Sequence, residues 1–168
     1  NVNRILSAAH TVDGLDLHQL NLTYYAALDE EDERYLAARA IQLFARGIPQ
    51  VYYVGLLAGA NDHAAVARTG EGRAVNRHDY TGTEIAAELA RPVVRRLLAL
   101  IELRNSHAAF DGTLQVHTTS ASTLSMRWSD GPAEATLDVD LVRGAFTARV
   151  TADGGWREVG GPDPGSDG

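Results

Sequence analysis

The stretch GIPQVYYVG, residues 47–55, decides the fold class that the sequence indicates. It is short, rich in β-branched and aromatic residues, and bounded by a glycine at each end. Such a run is typical of a strand that is buried on both faces of a parallel sheet. We therefore predict a parallel strand at residues 51–54, with Tyr52 and Tyr53 in the protein core.

A helix is predicted before this strand. Asp29 can serve as its N-cap, the acidic residues 30–33 suit the first turn, and Arg46 followed by Gly47 marks the end. Apolar residues recur between these ends at helical spacing, which predicts one buried face. These apolar residues are Leu36, Ala37, Ala40, Ile41 and Phe44.

After the strand we predict a long polar loop, from Leu56 to about Glu88, and then a second helix. Proline is favoured in the first turn of a helix, so Pro92 is the expected start. The apolar stripe of this helix consists of Val94, Leu97, Leu98 and Ile101.

From residue 110 onward the apolar pattern changes to a period of two, which predicts a small antiparallel β module. Turn residues interrupt the pattern at 130–132, 143–144 and 153–155, and we expect Trp128 and Trp156 to be core residues. The alternating apolar residues are Leu124, Met126, Trp128, Ala135, Leu137, Val139, Leu141, Phe146, Ala148 and Val150. Residues 161–168 are too poor in apolar side chains to order themselves, so we expect a disordered tail.

Composition excludes several classes of function. The 168 residues carry 22 acidic and 15 basic side chains, and no basic block suits a nucleic-acid backbone. No apolar run approaches the roughly 20 residues that span a bilayer. The sequence has no cysteine, which excludes disulfides and thiolate metal sites. The histidines also lack the spacing of a metal site, so no metal is expected.

The order of helix, strand, loop, helix and β module is the one expected where a (β/α)₈ barrel closes and a C-terminal domain follows. Residues 47–55 resemble the segment that enters and forms the eighth barrel strand in the α-amylase superfamily. Four other segments resemble the sucrose phosphorylase branch of that superfamily in particular. These segments are LDLHQ at 15–19 ahead of TYY at 23–25, LLAGAND at 56–62, GRAVNRH at 72–78 and RPVV at 91–94.

The resemblance implies an α/β region followed by a β region. Residues 1–111 would be the C-terminal part of the barrel, 112–160 a small β domain and 161–168 the tail. It also implies a retaining glucosyl transfer to inorganic phosphate, which needs two carboxyl groups roughly 5 Å apart. In this family those carboxyl groups, and a third aspartate, come from barrel strands four, five and seven. We therefore expect them before Asn1, and we expect the chain to be a C-terminal part that is inactive alone.

Residues that contact substrate can be proposed from the same resemblance. Arg73 matches the family arginine that holds the glucose unit, and a guanidinium suits this role because it donates two parallel hydrogen bonds. Asp16, Leu17, His18 and Gln19 match a mobile loop that serves both the fructose and the phosphate acceptor. The alternatives are a solvated loop arginine and a polar loop without a binding role.

His18 departs from the common pattern, because sucrose phosphorylases usually carry tyrosine at this position. Histidine resembles the relatives that act on sucrose 6′-phosphate, where a protonated imidazole can bind the phosphate group. The sugar substrate therefore stays open between sucrose and its 6′-phosphate. His78, with Asn76 and Arg77, is expected to shape the loop beside Arg73 rather than to bind substrate.

Two other readings of the sequence remain. One is a hydrolase or transglucosidase of the same superfamily, against which residues 15–19 and 56–78 argue. The other is a non-catalytic carbohydrate-binding or interaction module. The resemblance further implies a cytoplasmic protein that needs no cofactor, acts on a sugar and phosphate, and forms a homodimer when full length.

Overall fold

The computed structural model describes residues 21–160, in two compact units. The loop unit comprises residues 21–31 and 51–91, and the sheet unit comprises residues 32–50 and 92–160. The predicted domain boundary at 111–112 stays a prediction, and the predicted tail at 161–168 lies outside the described residues. Among residues 21–160, no helix is both long and apolar enough to cross a membrane.

Helices precede a sheet in the chain, as the sequence predicts. The helices are α1 (Asp32–Phe44), α2 (Tyr53–Leu56), α3 (His63–Thr69), α4 (Gly82–Ala90) and α5 (Pro92–Ser106), with 3₁₀ turns at Ala26–Leu28, Gly72–Asn76 and Ala108–Asp111. The strands are β1 (Thr113–Ser120), β2 (Thr123–Asp130), β3 (Ala133–Asp140), β4 (Ala145–Ala152) and β5 (Gly155–Val159).

The five strands form an antiparallel sheet in which each strand pairs with the next in sequence. Gly131 and Gly144 adopt the left-handed backbone conformation that tight turns between strands require. The predicted alternation is confirmed, because one face of β2, β3 and β4 is buried. Its buried side chains are Met126, Trp128, Ala135, Leu137, Val139, Ala148 and Val150.

Helix α1 and the 3₁₀ turn Ala108–Asp111 contact this face within the sheet unit, while α5 packs on α1 and contacts β5. The Trp128 indole N–H donates a hydrogen bond to the Phe44 carbonyl oxygen at the end of α1 (2.7 Å). The Phe44 and Phe110 rings meet edge to face at 5.1 Å, and the Arg104 guanidinium lies over the Phe110 ring. The predicted stripes are confirmed in part, and α5 begins at Pro92 as predicted. Ile41, Leu98 and Ile101 are only half-buried, and Leu100 and Leu103 are buried in α5 instead.

The predicted strand at residues 51–54 is wrong. Tyr52 is extended, but a helical turn begins at Tyr53, and the two side chains are 56% and 40% exposed rather than buried. A parallel strand needs hydrogen-bonding neighbours, and the loop unit offers none among its described residues. The apolar and aromatic pattern alone therefore could not fix a strand here.

Four further expectations are corrected. Helix α1 begins at Asp32, and Asp29 instead ends the 3₁₀ turn Ala26–Leu28 with a left-handed backbone. Trp156 is 51% exposed because it opens the edge strand β5, and Leu141 is exposed because it lies in the turn after β3. The predicted loop from Leu56 to Glu88 contains α3, a 3₁₀ turn and most of α4.

Candidate functional site

Arg73 lies in the loop unit, on the 3₁₀ turn Gly72–Asn76, and its side chain is exposed. The other predicted site residues, Asp16, Leu17, His18 and Gln19, lie outside the described residues. The site can therefore be built only around Arg73. We use the name Arg73 loop for residues 59–80, which surround it.

The turn that carries Arg73 is held by hydrogen bonds at Val75 and Asn76, just after Arg73 in the sequence. The Asp62 backbone N–H donates to the Val75 carbonyl oxygen (2.8 Å), and the Val75 side chain is fully buried. One residue later, the Asn76 side-chain amide donates to the Leu22 carbonyl oxygen (3.2 Å). The backbone that follows Arg73 is thus fixed to two other segments, which limits where its guanidinium can reach.

A second amide ties the segment at residues 22–23 to the same loop. The Thr23 backbone N–H donates to Asn61 Oδ1 (2.7 Å), and the buried Thr23 hydroxyl accepts from the Ala26 N–H (3.1 Å). Gln19, the last residue of the predicted acceptor loop, precedes Leu22 by three positions in the sequence. The structure therefore brings the segment just after that predicted loop into contact with the Arg73 loop.

Asp62 and His78, near the two ends of the Arg73 loop, form a charged cluster with Glu84 of α4. Asp62 Oδ1 accepts the Ala65 N–H (2.8 Å) as the N-cap of α3, while Asp62 Oδ2 lies 2.6 Å from His78 Nδ1. His78 Nε2 lies 3.6 Å from Glu84 Oε1. The Tyr53 hydroxyl donates to the His78 carbonyl oxygen (3.0 Å) and the Tyr80 ring meets the imidazole edge to face.

The pKa values in this cluster favour the charged forms. The hydrogen bond with His78 lowers the pKa of Asp62, and the Ala65 N–H lowers it further. The same bond to Asp62 raises the pKa of His78, although partial burial opposes the shift. An ionised carboxylate and a protonated imidazole are therefore the favoured pair at pH values between these two pKa values.

The acids of this cluster are placed as structural groups rather than as a catalytic pair. Both Asp62 oxygens are engaged, and Glu84 Oε2 accepts from the N–H and the hydroxyl of Thr81 (2.7 Å each) in a capping box at the start of α4. No group of three or more acidic, histidine or cysteine side chains within residues 21–160 could hold a metal ion.

Gly59 allows a close approach at the start of the Arg73 loop. A Cβ atom at this position would lie 2.3 Å from the Tyr80 hydroxyl and 2.7 Å from Val54 Cγ1. Glycine is therefore required where the chain leaves α2 and passes Tyr80.

The sequence reasoning missed the residues that hold Arg73 in place. It identified Asn76 and His78 only as residues that shape the loop, and it gave no role to Asn61, Asp62 or Gly59. The signal that was available is local, since Asp62 precedes a helix as an N-cap and Thr81 with Glu84 has the spacing of a capping box. Their distant partners have no signal in a single sequence.

Comparison with known proteins shows clear relatives, although no family model matches the chain. It is 50% identical over 129 residues to a sucrose 6(F)-phosphate phosphorylase from Thermoanaerobacterium thermosaccharolyticum, covering 77% of this chain and 26% of that one. It is 47% identical over 149 residues to a sucrose phosphorylase from Agrobacterium vitis, covering 89% and 30%. A glucosylglycerol phosphorylase from Marinobacter adhaerens is 45% identical over 140 residues, covering 83% and 29%.

A solved structure supports the same likeness. The crystal structure of sucrose 6F-phosphate phosphorylase from Thermoanaerobacter thermosaccharolyticum matches with a TM-score of 0.81 and 46% identity. The match covers 89% of this chain and 30% of the solved chain. The chain thus spans about 26–30% of the length of these proteins. Over that length, the prediction of helices followed by a small antiparallel β domain is confirmed.

Proposed function

Because this chain is homologous to one part of the sucrose phosphorylases and sucrose 6(F)-phosphate phosphorylases, we propose that it belongs to a retaining, glucosyl-transferring phosphorylase. The reaction converts sucrose or sucrose 6′-phosphate, with inorganic phosphate, to glucose 1-phosphate and fructose or fructose 6-phosphate. The observation that carries this proposal is the 50% identity over 129 residues to a protein of this activity.

In the proposed reaction this chain binds sugar and does not supply the catalytic carboxylates. A retaining transfer uses a nucleophilic carboxylate and a second carboxylic acid roughly 5 Å away. Asp62 and Glu84 are committed to helix caps and to His78, so they are poor candidates for this pair. The pair is expected outside residues 1–168, and these residues alone are expected to be inactive.

Arg73 is the residue that we propose holds the glucose unit. Its side chain is exposed on a turn that hydrogen bonds hold in place. These bonds join the Asp62 N–H to the Val75 carbonyl oxygen and the Asn76 side chain to the Leu22 carbonyl oxygen, so the guanidinium extends from a fixed backbone. A guanidinium donates two parallel hydrogen bonds to neighbouring oxygens, which suits vicinal sugar hydroxyls or a carboxylate beside them.

The test of this role is Arg73→Lys in the full-length protein that carries this chain. Lysine keeps the charge but loses the fork of donors, so kcat/KM for the glucosyl donor should fall about ten- to a hundredfold, the value of one charged hydrogen bond. Arg95→Lys, an exposed arginine on α5 in the sheet unit, is the matched control and should leave kcat/KM unchanged. Equal behaviour of the two variants would remove Arg73 from the site.

The acceptor loop at residues 15–19 is proposed to choose between sucrose and sucrose 6′-phosphate through His18. Phosphorolysis of the two sugars should be compared for wild type and His18→Tyr. Glucose 1-phosphate released chiefly from the phosphorylated sugar, with the preference lost in the variant, supports a phosphate-binding His18. Release of free glucose without glucose 1-phosphate would instead point to a hydrolase and reject the phosphorylase.

One relative favours a second candidate substrate. The glucosylglycerol phosphorylase is 45% identical to this chain, close to the values of the two sucrose-type relatives. Glucosylglycerol therefore belongs in the same phosphorolysis assay, and preferential release of glucose 1-phosphate from it would change the substrate but keep the reaction. We also propose a cytoplasmic homodimer, which cell fractionation and light scattering of the full-length protein would test.

A further inference from the structure

The Asp62–His78 contact links two parts of the Arg73 loop that lie on either side of Arg73 in the sequence. Asp62 is eleven residues before Arg73 and His78 is five residues after it, so their contact closes the loop around the arginine. The Asp62 side chain is 15% exposed and the His78 side chain 32% exposed, so solvent screens the pair only in part.

Asp62 holds the loop through three atoms. Oδ2 meets His78 Nδ1, Oδ1 caps α3 through the Ala65 N–H, and the backbone N–H donates to the Val75 carbonyl oxygen. Val75 is two residues after Arg73 and lies in the same 3₁₀ turn. A change in the position of Asp62 therefore moves the turn that carries Arg73.

We propose that Asp62 and His78 are positioning residues for Arg73. Their ion pair closes the Arg73 loop and keeps the guanidinium in the position where it contacts the glucosyl donor. This inference rests on the proposed function, because it takes Arg73 as the glucose-binding residue. Neither side chain needs to touch the sugar. Their effect reaches it through the Val75 hydrogen bond and the closed loop.

The groups that face the pair set its dependence on pH. His78 faces Asp62 and Glu84, with the Tyr80 ring against the imidazole and the Tyr53 hydroxyl on its carbonyl oxygen, and Arg68 acts on Asp62 from α3. The pKa of His78 is raised, chiefly by its bond to Asp62. The contribution of His78 to the stability of the closed loop is therefore complete below the pKa of a free imidazole. That contribution is lost as pH rises through the raised pKa.

The acidic limit has the opposite sign. The pKa of Asp62 is lowered, chiefly by its bond to His78, so its contribution is present above the pKa of a free carboxyl and is lost as pH falls through the lowered value. The loop is therefore held best between the lowered pKa of Asp62 and the raised pKa of His78. Above that range, KM for the glucosyl donor should rise while kcat changes little, because binding to Arg73 is shared by ground and transition states.

The experiment measures KM and kcat of the full-length protein with the best donor, from below to above neutral pH, for wild type and His78→Gln. Glutamine keeps a donor but not a charge, and a charge-assisted hydrogen bond is about twice as strong as a neutral one. We expect KM of the variant at neutral pH to be about five- to tenfold higher and to show no further rise at alkaline pH. His117→Gln, an exposed histidine on β1, is the matched control and should follow wild type.

A double-variant cycle separates a positioning pair from two unrelated changes. Asp62→Asn keeps an oxygen for the α3 cap but removes the charge, so it should raise KM about as much as His78→Gln does. The double variant should be no worse than either single variant, because both remove the same contact. An unchanged KM in His78→Gln, or additive effects in the double variant, would overturn the inference.

Two readouts keep the outcome decisive. If a variant fails to fold, the alkaline rise of KM in wild type supports the pair and its absence overturns it. If wild type releases no glucose 1-phosphate from any of the three glucosides, the proposed function fails instead. Hydrogen exchange of the Ala74 and Arg77 amides, which close the turn, then still decides whether the pair holds it: their exchange should speed up in His78→Gln and not in His117→Gln.

Discussion

The interactions that stabilise the sheet unit internally differ from those that stabilise the loop unit. In the sheet unit, the side chains of Phe44, Leu97, Leu137 and Val150 are almost completely buried. In the loop unit, α4 has no buried residue, and the apolar core is smaller, with Val54, Val66 and Val75 among its buried side chains. Side-chain amides, helix caps and the Asp62–His78 pair add directional contacts there. The sheet unit thus has the larger apolar core, and the loop unit combines a smaller core with directional polar contacts.

This difference suits the proposed roles of the two units. Directional contacts fix a backbone without covering it, so the loop unit can present Arg73 while the side chain stays exposed. A fully packed core offers no such surface. The contrast also predicts that a substitution affects local stability according to the kind of interaction it removes, which can be tested in each unit.

The largest effect is expected for Trp128→Ala in the sheet unit. The side chain is 4% exposed and its N–H is bonded to Phe44, so its removal leaves a cavity and an unpaired carbonyl. The free energy of opening, measured by hydrogen exchange of the β3 amides, should fall by about 3–5 kcal/mol. Trp156→Ala is the matched control, and at a half-exposed edge position it should change this value by less than about 0.5 kcal/mol. Equal losses in the two variants would contradict the assignment of the core.

A smaller effect is expected for Gly59→Ala in the loop unit. The new methyl group would lie 2.3 Å from the Tyr80 hydroxyl, so Tyr80 or α2 must shift, at a cost of about 1–3 kcal/mol. Exchange of the Asp62 amide, which is bonded to Val75, should report this loss. Gly82→Ala has open space around its Cβ and should stabilise the first turn of α4 slightly. Unchanged exchange in Gly59→Ala would show that the loop unit adapts more freely than its contacts indicate.

The same contrast explains what the sequence could predict. The period of two at Met126 and Trp128 identified the sheet because one buried face imposes its own pattern along each strand. Residues 51–54 carry an equally apolar pattern, yet the prediction of a strand there is wrong. A parallel strand depends on neighbouring strands that its own residues do not encode. Trp156 failed for a related reason, since the edge position of β5 is a property of the whole sheet.

The candidate site divides in the same way. Arg73 could be proposed because its segment resembles a known family, whereas the contacts that hold it join residues far apart in sequence. Asn61 and Thr23 are separated by 38 positions, and Asn76 and Leu22 by 54. An asparagine in a loop carries no local sign of such a partner, so only the folded structure identifies it.

The smallest effect is expected for Thr81→Ala, which tests whether the loop unit depends on local polar contacts. Thr81 caps α4 by accepting the Glu84 N–H, and Glu84 returns a contact to the Thr81 N–H. Since α4 buries no side chain, this capping box contributes a large share of what holds the helix, and its loss should cost about 1 kcal/mol. Exchange of the Ile85 amide, bonded to the Thr81 carbonyl oxygen, is the measurement, with the exposed Thr83→Ala as the control. A loss confined to α4, with β3 exchange unchanged, would support the contrast between the units. Equal exchange of Ile85 in the two variants would mean that apolar contacts, and not the cap, hold α4.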